Sequence, residues 1–263
     1  MMAGVLAHSG YDMGVRLLSA DTSNPKGYFE DLDVNAINDA LLAPHDPSDR
    51  ARAPHERALG DGERWLAALP LGVDVRPDAP ARSGMAAALR PAPFCRKDPR
   101  FCYTLPAWRP ILHDTVYVCV FREPARTAHS LLRHTRSRQL GLTFNGALHV
   151  WTAMYRHVLA RHHHDGDWVF AHYEQVLDGT VLPALERALN ARLDHSFPDP
   201  ILRRSPCDGR LPRATRQVYA DLCATAGYPQ MTKRSRLRRG CGRRVDPGLA
   251  ARYEFRISVE GPP

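Results

Sequence analysis

Arg122 and Ser130 stand eight residues apart across a change of hydrophobic pattern. Thr115 to Phe121 is a near-continuous β-branched and aromatic run, as in a strand buried on both faces, and Glu123-Pro124 then opens a helix, because proline suits the first helical position. An arginine at a strand's end can grip an anion with paired N–H donors, and a serine on the second turn of the next helix can add a hydroxyl. The helix start contributes backbone N–H groups and the positive end of its dipole. Together these groups suit phosphate binding. A solvated turn uses the same residue types, so spacing alone leaves both readings open. His162-His163-His164-Asp165 suggests a metal at first sight, but adjacent histidines at a helix end cannot all face one ion, and the run reads as a polar terminus.

Positioning these groups requires a particular order of elements. Trp168 to Ala171 reads as a second buried strand, and between the two strands residues 145–162 form a helix with Leu148, Trp151, Met154, Tyr155, Val158 and Leu159 as its apolar stripe. Helices over Val181–Leu189 and Thr215–Ala226 follow. This alternation predicts an α/β domain over residues 1–230, a three-layer parallel sheet flanked by helices. Upstream, Asn24-Pro25-Lys26-Gly27 is a turn, Tyr28-Phe29-Glu30 a short extended piece, and Asp31 or Asp33 the cap of a helix carrying Val34, Ile37, Leu41 and Leu42. Residues 43–63 read as an exposed loop, and a short helix around Cys102–Trp108 follows Lys97-Asp98-Pro99-Arg100. Met1 to Ala7 looks like the body of an apolar helix closed by Gly10 and entered mid-element.

The run Val118-Cys119-Val120-Phe121-Arg122-Glu123-Pro124 with Ser130 resembles the 3′-phosphate-binding element of sulfotransferases that use 3′-phosphoadenosine 5′-phosphosulfate (PAPS). His172-Tyr173-Glu174-Gln175-Val176-Leu177 resembles the Tyr-Glu-Asp element of that family. The resemblance spans about residues 1–230. It implies a P-loop NTPase-like fold, Arg122 and Ser130 on the donor's 3′-phosphate, and Tyr173 near the adenine, where an ordinary strand-end aromatic is the alternative. Asn24-Pro25-Lys26-Gly27-Tyr28-Phe29-Glu30-Asp31 is similar to the strand that carries the catalytic acid in the carbohydrate and bacterial branches, and Lys97-Asp98-Pro99-Arg100 to the Lys-x-Pro element lining the acceptor site.

Sulfuryl transfer moves an SO3 group in line from a phosphate leaving group to an acceptor oxygen or nitrogen. It needs a carboxylate for the acceptor's proton and cations for the leaving oxygens. Glu30 is the candidate base and Lys97 the candidate cation, with Lys26 and Arg100 as helpers on the substrate side. Acids at 30 and 31 also suit a helix start on dipole grounds alone. The family's loop of the type Pro-Arg-Ser-Gly-Thr-Ser, which wraps the 5′-phosphosulfate, has no counterpart in this sequence, so the resemblance implies that the first strand and that loop lie upstream of Met1. The chain alone is therefore expected to show little or no sulfate transfer. Either a longer natural protein is a working enzyme, or the chain is a degenerate remnant that binds nucleotide without turnover.

Composition bounds the remaining classes. With 44% hydrophobic residues in 263, the chain can build a core. Of the net charge of +8, residues 231–263 carry +6, a basic run read as a disordered, anion-binding tail in which Arg238-Arg239-Gly240-Cys241-Gly242 resembles the basic glycine loop of cytosolic sulfotransferases. The nearly neutral remainder disfavours nucleic acid as a partner, and a basic binding protein acting through the tail is the rival outside enzymes. A P-loop kinase ranks lower, because no G-x-x-x-x-G-K-[ST] occurs. Six scattered cysteines without a C-x-x-C pair, no apolar run of membrane length and no cationic segment before the apolar start point to a soluble cytoplasmic protein. The implied ligands are PAPS and a small-molecule or carbohydrate acceptor, without a metal.

Overall fold

A strand whose two faces are both apolar has to find cover on each side, and that requirement organises this molecule. The computed structural model describes residues 1–22, 24–45, 55, 57–89, 92–202 and 205–229, so the basic tail over 231–263 lies outside the described residues. β1 (Val116–Phe121) and β2 (Asp167–His172) pair in parallel, in a register that runs from Val116 opposite Asp167 to Phe121 opposite His172. Alternation sends Cys119, Phe121 and Phe170 into one apolar cluster and Val118, Val120, Val169 and Ala171 into the other.

Ten α-helices accompany the pair among the described residues. α1 (Met2–His8) packs with the second cluster through Met2, Val5 and Leu6. It closes on Gly10, where φ is +91° and the amides of Gly10 and Tyr11 return to the carbonyls of Ala7 and Leu6. That left-handed turn suits glycine, in agreement with the sequence reading. α2 (Leu32–Leu42), α3 (Ala79–Ala88) and α4 (Phe101–Trp108) precede β1. α5 (Pro124–Arg133), α6 (Thr135–Gln139) and α7 (Phe144–His157) carry the chain from β1 to β2. α8 (Tyr173–Leu177), α9 (Leu182–Leu189) and α10 (Arg213–Thr225) follow β2. The α/β class and the parallel pair with a helical crossover match the prediction; a wider sheet is not present among the described residues.

α7 shows how the core is held. Thr143 caps it by accepting the Gly146 amide at 3.0 Å, and Ala147, Leu148 and Trp151 are buried in the first cluster. Burying each large apolar side chain there is worth about 1.5–3 kcal/mol. The helix then widens into a π-turn over Val158–His162, so that the histidine run lies at a helix end with His164 and Asp165 exposed, while His162 turns inward. His162 is buried, its Nε2 is 2.8 Å from the Cys102 carbonyl, and burial lowers its pKa to about 4.

The segment read as an exposed loop also turns inward in part. His55, Leu59 and Glu63 are buried, because the charges that suggest solvent are paired within the protein. Glu63 receives Arg57 through both carboxylate oxygens at 2.7 and 2.8 Å, and residues 46–54 and 56 of the segment lie outside the described residues.

Candidate functional site

The ends of the two parallel strands are adjacent, so the residues just beyond Phe121 and His172 meet. In open α/β sheets ligands bind beyond the carboxyl ends of strands. Arg122 and Tyr173 occupy this place, and the Arg122 guanidinium lies over the Tyr173 ring, 4.6 Å from its centre. A ring face engages the flat of the guanidinium rather than its N–H edge. Two residues singled out from sequence motifs 51 positions apart are thus in contact.

Ser130 is exposed on the second turn of α5, about 9 Å along the helix from its start. The helix start is less open than the sequence suggests. Glu123 caps it, accepting the Arg126 amide at 2.9 Å, and so places a carboxylate where backbone N–H groups were expected to await an anion. Farther along α5, Arg126 donates to the Ser205 carbonyl and Arg133 to the Ser205 hydroxyl at 2.6 Å.

A second group forms around the start of α2. Asp31 is the helix cap, accepting the Asp33 amide at 2.8 Å and the Val15 amide at 3.0 Å. The chain passes so close at Gly14, where φ is +118°, that a Cβ there would lie 1.8 Å from the Asp31 carboxylate. Glu30 does not cap. It is 8% exposed, forms an ion pair with Lys97, and accepts from the Asn35 side-chain Nδ2 at 3.0 Å on its other oxygen. The preceding residue, Phe29, has φ of +55°, a left-handed conformation that is strained for a bulky side chain. Sequence reading missed Asn35 and Phe29. The first has a visible signal, a position one helical turn inside the Asp31 cap; the second has none.

Lys26 donates to the Phe197 carbonyl at 2.8 Å and lies 3.5 Å from Asp199. Both lysines reach the start of α1: the Met1 amine is lowered to about 6 by burial first, then by Lys97 and Lys26. The structure therefore brings Glu30 into contact with Lys97 and places Lys26 in the same electrostatic neighbourhood.

Arg100 behaves differently from the expected acceptor contact. It is 3% exposed and held by Asp98 at 3.1 Å and Asp39 at 3.2 Å. Asp39 also holds Arg64 at 2.6 Å, and Asp98 accepts from the Asn38 side-chain Nδ2 at 3.0 Å. Asn38 in turn accepts from Thr104 and Trp108, each at 2.8 Å. Desolvation pushes the Asp98 carboxyl above its ordinary range, against the pull of Arg100. The reason for the correction is the pair of buried carboxylates, which need a cation more than an acceptor would. Arg100 supports the segment that presents Lys97.

Burial also drives the cysteine thiols upward, Cys95 to about 11 and Cys119 to about 12, so neither is an activated nucleophile. Among the described residues, no group of three or more His, Cys, Asp or Glu could hold a metal ion, and no helix is long and apolar enough to cross a membrane. No protein-family model, no curated protein and no solved structure matches the chain.

Proposed function

We propose that this chain is a PAPS-type sulfotransferase domain of the three-layer, P-loop NTPase-like kind, which binds the 3′-phosphoadenosine end of the donor at the strand ends. The observation that carries the reading is the Arg122–Tyr173 pair, a cation 4.6 Å from an aromatic ring beyond two parallel strands. A phosphate next to a purine asks for that combination. Arg122 would hold the 3′-phosphate, the exposed Ser130 hydroxyl would add a donor, and Tyr173 would pack near the base. The Glu123 cap opposes an anion at the first turn of α5, so the fit rests on the two side chains and not on the helix start.

When bound, the donor supplies an electrophilic sulfuryl group on a phosphate leaving group. Glu30 would accept the proton of the acceptor hydroxyl or amine as the new O–S or N–S bond forms and the S–O bond to the phosphate breaks. Lys97, in contact with Glu30, would neutralise the departing oxygens, and Lys26 would add to the positive field. Phe29 strain fits a residue that aims its neighbour. The acceptor is a small molecule or a carbohydrate.

The 3′-phosphate distinguishes this reading from general adenine binding. In calorimetry, 3′,5′-adenosine bisphosphate should bind at least about tenfold more tightly than adenosine 5′-monophosphate, the worth of one charge-assisted contact. Equal affinity would contradict the reading. Without a counterpart of the 5′-phosphosulfate loop the chain alone should transfer little or no sulfate from labelled PAPS even where it binds nucleotide, and robust turnover would overturn that expectation.

A further inference from the structure

Tyr173 opens a helix of only five residues, and something must fix where that helix begins. The residue before it, His172, does so. Its Nδ1 accepts the Glu174 amide at 3.2 Å, while its own amide donates to the Gln175 side chain at 2.9 Å, a reciprocal capping arrangement built on an imidazole. Gln175 is tied onward to the Ala226 carbonyl at 3.2 Å. The ring itself is 2% exposed. It stacks on Tyr228 at 3.7 Å and 12°, meets Phe121 edge-on, and its Nε2 lies 3.2 Å from the Tyr219 hydroxyl.

This geometry requires one protonation state. A nitrogen that accepts the Glu174 amide cannot carry a proton, so the ring is neutral with hydrogen on Nε2, directed at the Tyr219 oxygen. A second proton would put two donors face to face at Nδ1 and remove the cap. Tyr219 of α10 and Tyr228 beyond it face the ring, the Glu174 amide of α8 meets its Nδ1, and Cys223 and Glu123 act on Tyr219. Tyr219 itself is held protonated by burial.

We propose that His172 is a positioning residue for Tyr173: the neutral imidazole caps α8 and holds the tyrosine against Arg122. The consequence for nucleotide affinity rests on the sulfotransferase reading, but the positioning itself does not. Two measurements separate them.

The first uses the full chain without ligand. Long-range 1H–15N spectra of the His172 ring should show an unprotonated Nδ1 at pH 7.5, and the protection factor of the Glu174 amide should fall about tenfold in His172→Ala, the worth of a helix cap, and be kept in His172→Asn. A proton on Nδ1 at pH 7.5, or the wild-type protection factor in His172→Ala, would overturn the proposal.

The second compares 3′,5′-adenosine bisphosphate binding to wild type, His172→Asn and His172→Ala at pH 7.5. Asparagine can cap and alanine cannot. His172→Ala should bind about tenfold more weakly than wild type, and His172→Asn should recover most of that loss. The same loss in both variants would contradict the proposal. Absence of nucleotide binding by wild type at pH 7.5 would sink the sulfotransferase reading while the ring and amide data still decide the role of His172.

Discussion

Arg122 and Arg100 bring the same guanidinium into two different surroundings. Arg100 is sealed between Asp98 and Asp39, 3% exposed, with its donors directed at carboxylates. Arg122 is half-buried at the strand ends and meets the flat face of Tyr173. A buried carboxylate pair binds an arginine to the fold, because neither charge can be left alone. A ring face engages an arginine more weakly than a pair of buried carboxylates does. The first arrangement builds structure, and the second is where we propose the ligand.

Alanine substitutions should separate the two most strongly. Arg100→Ala leaves two buried carboxylates without their shared cation and should cost about 3–5 kcal/mol in urea unfolding, whereas Arg122→Ala should cost less, about 2 kcal/mol. Comparable losses would remove the distinction. Next in size is an acid effect on the Arg100 side of the molecule, where His162 bonds the carbonyl of Cys102 in α4. Its pKa is lowered to about 4 by burial, so the folded chain holds fewer protons than the unfolded chain between about pH 6.5 and 4. Stability from this group is complete above 6.5 and lost as pH falls to 4, up to about 3 kcal/mol in all. His157, lowered in the same direction by burial, adds to the slope. Unfolding curves across this range should flatten in His162→Gln; an unchanged slope would place the acid sensitivity elsewhere.

The smallest stability effect belongs to the candidate base. Lys97 is 41% exposed, so Glu30→Gln, which keeps the shape and removes the ion pair, should change stability by under about 1 kcal/mol. A much larger loss would place Glu30 with Arg100 as a structural group.

The elements around the strand ends were legible because their signals are local. Both strands, the proline-led start of α5, the α7 stripe and the Asp31 cap follow from patterns within a few residues. The fate of a charge was not legible, because it depends on partners far along the chain. Arg100 reads like Lys97 in sequence, yet its burial depends on Asp39, 61 residues away. The buried part of the 43–63 segment has the same origin in the pairing of Glu63 with Arg57 and Arg136. α3 carries alanines and a single buried Met85, too weak a stripe to stand out. Within the histidine run only His162 is buried, and it lies in a π-turn that a 3.6-residue period does not anticipate. Tyr173 was found through a motif, but its contact with Arg122 appears only once the strands lie side by side.

Calorimetry of 3′,5′-adenosine bisphosphate on the intact chain and on Arg122→Ala decides whether the strand ends hold the nucleotide. The wild type should bind, and the variant at least about tenfold more weakly, with the fold retained. Equal binding by both proteins, or no binding by either, would contradict that placement.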